Sequence, residues 1–182
     1  MKLINFLSIF CLIALALALF AGCTPEKTTD GAPQSSQKET TTGSPAQDVT
    51  AAMLAEAVEE KITLDASLSL IEKGELSLML GEHISDAVDA SDDYVIKFTG
   101  GASFDEFGIL GYADEKSAEA AAQNIRDYLK SLQEDALYRS YFPEEEYKLD
   151  QSQVRIYGKY VAYAVLSDSN MNAFFGQIEG IL

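Results

Sequence analysis

The chain has 182 residues, 47 % hydrophobic and 10 % aromatic, which is material for one modest domain and no more. Its formal charge is −16, from 13 basic and 29 acidic residues. No basic stripe interrupts that acidity, which argues against nucleic-acid binding and against attraction to an anionic lipid surface.

Met1-Lys2 supplies a thin positive start, and an apolar run follows from Phe6 to Phe20. Ala21-Gly22-Cys23 closes it with two small residues before a thiol, the shape of a bacterial lipobox. The pattern predicts a lipoprotein signal peptide over 1–23, removed on maturation, with a diacylglyceryl group on Cys23. One departure is Phe20, which stands where Leu is usual. An uncleaved membrane helix is the first rival, but Phe6–Gly22 is only about the minimum spanning length of roughly 17 residues. It also lacks a flanking basic cluster. Ordinary secretory cleavage after Ala16-Leu17-Ala18 is the second rival, and that site lies inside the apolar run with no polar region before it. Each buried CH₂ contributes about 0.8 kcal/mol, so two acyl chains hold a protein where one does so only marginally. The expected location is the extracytoplasmic face of the cell membrane, with the lipid on Cys23 as the membrane contact. Losing Lys2 with the leader leaves 12 basic residues against 29 acidic, a charge of −17. Cys11 and Cys23 are the two cysteines, so the body beyond them has no thiol for catalysis, disulfides or metal binding.

Residues 24–47 are rich in Thr, Ser, Pro, Gln and Lys without apolar periodicity, the composition of a flexible tether. Its r.m.s. span is about 25–30 Å. A globular domain is expected over 48–182. Asp48 or Thr50 caps a first helix running to Lys61, with Leu54, Ala57, Val58 and Lys61 at i, i+3, i+4, i+7. Ile62–Ile71 alternates loosely and reads as a strand; Glu75–Leu80 reads as a helical turn closed by Gly81. Asp86–Asp93 reads as acidic and irregular. Tyr94–Thr99 and Phe107–Tyr112 are two antiparallel strands either side of Gly100-Gly101. Asp114 then caps a long helix, Glu115–Gln133, whose Ala118, Ala121, Ala122, Ile125, Tyr128, Leu129 and Leu132 make one apolar face. Val154–Tyr157 and Tyr160–Leu166 form a hairpin across Gly158-Lys159. Asp168 or Ser169 caps a last helix that turns Met171, Phe174, Phe175 and Ile178 inward. The fold class is therefore α+β: a single two-layer domain with an antiparallel sheet, a ββαββα core covered on one face by helices, and a helix in front.

The segments Phe107-Gly-Ile-Leu-Gly-Tyr112, Tyr141-Phe-Pro143-Glu-Glu-Glu-Tyr147 and Val154-Arg-Ile-Tyr-Gly158-Lys-Tyr160-Val161 resemble the bacterial lipoprotein family called domain of unknown function 4358. The likeness runs from about Met53 to Ile178 and is best after Phe104. It implies a lipoprotein leader and a polar tether, and it carries no activity or site residues with it.

Several groups carry side chains capable of chemistry. His83, the one histidine, lies in a Gly81-Glu82-His83 turn and has no nucleophile elbow to serve. Asp86, Asp89, Asp92 and Asp93 lack the spacing of a calcium loop. Glu144-Glu145-Glu146 after Pro143 fits a helix start, where acids favour the positive dipole end. No catalytic, cofactor-binding or metal residue is assigned, and no cofactor is expected. All nine tyrosines fall between Tyr94 and Tyr163. The hairpin register places Arg155, Tyr157 and Tyr160 on the face away from Ile156 and Val161; if helices cover only the latter face, these three form an interaction surface. The expectation is a lipid-anchored envelope protein that binds rather than catalyses. Its partner would be another envelope protein, a wall component or a second copy. The alternative is a carboxylate-dependent hydrolase of a wall polymer, which a pocket with two inward carboxylates would favour.

Overall fold

The computed structural model describes residues 48–182. The leader, Cys23 and the tether lie outside the described residues. Thr50, in extended backbone, accepts a hydrogen bond from the Met53 amide and starts α1 (Ala51–Glu59), which buries Leu54, Ala55 and Val58. A two-residue strand, β1 (Ser69–Leu70), is followed by a 3₁₀ turn and two short helices, α2 (Leu76–Leu80) and α3 (Glu82–Asp89). The backbone reversal between α2 and α3 falls on Gly81, at φ +87°, where a Cβ would be strained.

Strands β2 (Asp93–Phe98) and β3 (Glu106–Gly111) lead into α4 (Glu115–Glu134), which Asp114 caps from the Ser117 amide. Two more short helices, α5 (Ala136–Arg139) and α6 (Glu146–Asp150), precede the hairpin of β4 (Gln153–Tyr157) and β5 (Tyr160–Val165). The hairpin pairs Ile156 with Val161 and Val154 with Tyr163, as its sequence required. Helix α7 (Asp168–Ile181) closes the chain. The five strands run antiparallel in the order β1-β2-β3-β5-β4. The α+β class, the antiparallel sheet, the leading helix and the ββαββα order are thus as the sequence predicts.

The layering differs from the expectation, because helices cover both faces. On one face Ile96, Leu110, Val161, Tyr163 and Val165 pack with Ile84 and Val88 of α3 and Ala118, Ala122, Ile125 and Tyr128 of α4. On the other, Val95, Phe107, Ile109, Tyr160, Ala162 and Ala164 pack with Leu54 and Val58 of α1 and Phe174, Phe175 and Ile178 of α7. Strands β3 and β5 are buried at every position. Their continuous apolar runs, rather than alternating ones, are the sign of a sheet covered on two sides.

Two segments also differ. Ile62–Ile71 supplies only β1, because its backbone is satisfied elsewhere: Thr63 N donates to Asn170 Oδ1 at 3.0 Å and Asn170 Nδ2 donates to Thr63 O at 2.8 Å. Ile62, Leu64 and Leu68 pack instead on the α1–α7 core. The Asp86–Asp93 stretch is half helix, since Ile84, Ala87 and Val88 share a helical face and bury together, leaving Asp86 and Asp89 outward.

Candidate functional site

The chain enters the body at one end of the sheet. There Asp93 Oδ2 accepts the Ala51 amide at 2.6 Å and the Tyr160 hydroxyl donates to the Val49 carbonyl. The other end, where Phe98, Glu106 and Val165 are register partners, carries an open groove.

Its floor begins with the loop from Thr99 to Asp105. Gly100 and Gly101, at φ +63° and +83°, turn it back, and the Thr99 amide donates to the Asp105 carbonyl at 3.1 Å. Asp105 is buried: Ser103 Oγ donates to its Oδ2 at 3.0 Å, and Lys148 Nζ lies 2.9 Å from its Oδ1. That second contact is ionic, outside the geometry of a directed hydrogen bond. Lys148 also sits 3.1 Å from Glu145 Oε2, which accepts the Phe104 amide at 3.0 Å. Burial alone would lower the lysine pKa, but the carboxylates of Asp105 and Glu145 beside it outweigh this and raise it. Asp105 is thereby neutralised by a partner of its own.

Glu106 has no such partner. Its Oε1 accepts from Tyr163 at 2.6 Å and Tyr128 at 3.0 Å, and its Oε2 accepts from Tyr128 at 2.9 Å. Tyr163 reaches it across Gly108, where a Cβ would come within 2.9 Å of ring atom Cδ1 and closer still to Cε1. Glycine at this strand position makes the bond possible. Full burial pushes the Glu106 pKa up to about 7, and the two tyrosine hydrogen bonds pull it only part of the way back. Burial, reinforced by the nearby Glu106 charge, raises the pKa of Tyr128, Tyr163 and Tyr138. These phenols are donors, never competing bases.

Above this floor stand aromatic and aliphatic walls. Phe104 packs on Tyr138 with ring centroids 5.0 Å apart and edge-on to Phe142 at 5.1 Å; Tyr138 meets Tyr141 at 6.2 Å. Met79 and Leu80 of α2 and Phe98 of β2 also line the groove. The groove holds about 480 Å³, within the range of small-molecule sites.

The residues singled out from sequence lie elsewhere. Tyr160 is buried against the α1–α7 core, Arg155 sits 4.1 Å over the Phe175 ring, and Glu179 of α7 accepts from Arg155 at 2.8 Å and Tyr157 at 3.2 Å. Arg155 and Tyr157 thus pair with α7 while staying part-exposed, and Tyr160 is buried, so the face that the sequence leaves open carries α1 and α7. Cys23 lies outside the described residues. His83 is exposed on the first turn of α3. Of the acids, Asp89 pairs with Lys73 at 2.9 Å and Asp93 holds α1. Among the described residues no cluster of His, Cys, Asp and Glu has metal-site geometry, and no helix is long and apolar enough to cross a membrane. Pro143–Glu145 is a 3₁₀ turn feeding α6, as its Pro-acid composition predicts, with Glu145 lent to the groove floor. Glu106, Tyr128 and Tyr163 escaped sequence reasoning. The available signal was Asp105-Glu106, two acids opening an otherwise apolar strand.

Residues 87–166 match the family model described as Domain of unknown function (DUF4358), a stretch that takes in the central strands, α4 and part of the groove floor. No curated protein matches the chain. No solved structure matches it either.

Proposed function

We propose that this is a lipid-anchored envelope protein, held at the extracytoplasmic face of the cell membrane through Cys23, that binds a small ligand or a partner's side chain in the groove without transforming it. One observation carries the reading. The groove is open and aromatic-walled, and its one carboxyl without a counter-ion, Glu106, is held still by two tyrosines. Such a floor orients a guest.

Hydrolysis of a wall polymer is the second reading, favoured by an acid whose pKa lies near neutrality on the floor of an open site. Acid-base hydrolysis of a glycoside needs a second carboxylate free to act. The neighbouring Asp105 is occupied by Lys148. The geometry supports binding better.

The test has two arms. Cells fed labelled palmitate should yield labelled protein, and Cys23→Ala should abolish both label and membrane retention; unlabelled wild type overturns the anchor. Purified full-length protein incubated with wall polymer should release no soluble fragments. Release that disappears in Glu106→Gln establishes the hydrolase instead.

A further inference from the structure

We propose that the guest is an organic cation, an ammonium group on a short apolar stem, seated at Glu106 against the aromatic wall of Phe104, Tyr138 and Phe142. The inference rests on the binding reading and names its ligand class.

Charge decides the sign. Lys148 is committed to Asp105 and Glu145, and Arg139 to Glu146 and Asp150, so neither local cation remains to receive an anionic guest. Asp105 and Glu106 both line the groove, within a chain of charge −16. An anion entering there finds no free cation to receive it and sets its charge beside a carboxyl that can itself ionise, in a poorly solvated place. A cation meets a carboxyl with spare acceptor capacity, since the three tyrosine bonds leave lone-pair positions unused.

Packing decides the stem. Aromatic faces attract cations by their quadrupoles, more strongly where water is excluded, and Met79, Leu80 and Phe98 supply apolar surface for a few methylenes. The proton supplies the third argument. The groups that act directly on the Glu106 carboxyl are phenols: Tyr128 from α4 and Tyr163 from β5 donate to it from the core, and Tyr138 from α5 stands near it. None brings positive charge, so Glu106 answers its burial by holding a proton near neutral pH. An ammonium group does the same work as that proton and should displace it.

The experiment uses methyl-labelled methionine in the full chain. Of Met1, Met53, Met79 and Met171, Met79 lines the groove, while Met53 on α1 and Met171 in the α7 core report on the far face of the sheet. Titration with n-butylammonium at pH 6 should shift Met79 and leave Met53 and Met171 still. Calorimetry in two buffers of different ionisation enthalpy should show proton release on binding. Glu106→Gln should weaken the titration at least tenfold with Met171 unchanged, which separates loss of the site from loss of the fold. Butanol or butyrate moving Met79 as well as butylammonium does, or an undiminished titration in Glu106→Gln, overturns the cation while the groove reading stands. No shift from any of the three probes overturns both.

Discussion

Glu106 is buried deeply enough to hold its proton to about pH 7, whereas the same side chain in an unfolded chain releases it near 4.5. Between those values the native state binds more protons than the unfolded one, so this carboxyl makes stability fall as pH rises. Its stabilising contribution is complete below pH 4.5 and lost once pH has passed 7. The gap is worth roughly 3 kcal/mol at full expression. Asp114 and Asp150 work in the opposite direction at lower pH: the Ser117 amide holds the first below the usual carboxylate range, and Arg139 holds the second there. Whole-protein curves therefore mix the effects, and a difference curve isolates the one of interest. Glu106→Gln retains an acceptor for a tyrosine and carries no charge. Its melting temperature should exceed wild type at pH 8 and converge on it towards pH 4.5. A difference independent of pH would mean that Glu106 does not titrate in this window.

One wall of the groove is made of short helices that propensity alone does not hold in place. Helices α5 and α6 have four and five residues, far below the length at which a helix persists unaided. Arg139 joins them: its Nη2 donates to Glu146 at 2.6 Å and its Nη1 to Asp150 at 2.6 Å. These hydrogen bonds raise the guanidinium pKa, though both acids remain substantially exposed, so salt screens the attraction. Arg139→Ala should barely change the melting temperature yet weaken butylammonium binding at Met79, because Tyr138 and Tyr141 lose their support. Arg139→Lys should recover only part of the affinity, since an ammonium cannot fork between two carboxylates. Equal losses in stability and binding would assign Arg139 to the general fold. The same contrast explains what sequence could reveal at this scale. Helix α4 was legible because seven apolar residues repeat on one face, and the β4–β5 hairpin because Gly158, at φ +57°, sits between two strand patterns. The groove was illegible because its parts arrive from α2, β2, the Thr99–Asp105 loop and α5, each with no periodicity that points at the others. Segment 62–71 misled for a related reason: its alternation is real, but Asn170, a hundred residues on, takes the backbone bonds a strand would have made.

Across the whole molecule, the family match and the folding unit do not coincide. Residues 87–166 include β2, β3, α4, β4 and β5, and hence Glu106 with both of its tyrosines. They omit α1 and α7, which cover the face made by Val95, Phe107, Ile109, Tyr160, Ala162 and Ala164. They also cut α3 at its sixth residue and remove Ile71, Leu76 and Ile84 from the core on the groove side. A sheet stripped on one side exposes contiguous apolar surface far beyond what a soluble monomer tolerates. Burial of side chains such as Phe174, Phe175, Leu54 and Ile178 is worth on the order of 1.5–3 kcal/mol each, so losing both helices outweighs the few kcal/mol by which a domain this size is normally stable. The piece 87–166 made alone should therefore aggregate or give the poorly dispersed spectrum of an unfolded chain. The piece 48–182 should fold, melt cooperatively and bind butylammonium as the full chain does. If 87–166 alone gave a cooperative melt with Glu106 still titrating near pH 7, the second helical layer would be an accessory to this fold, not one of its two supports.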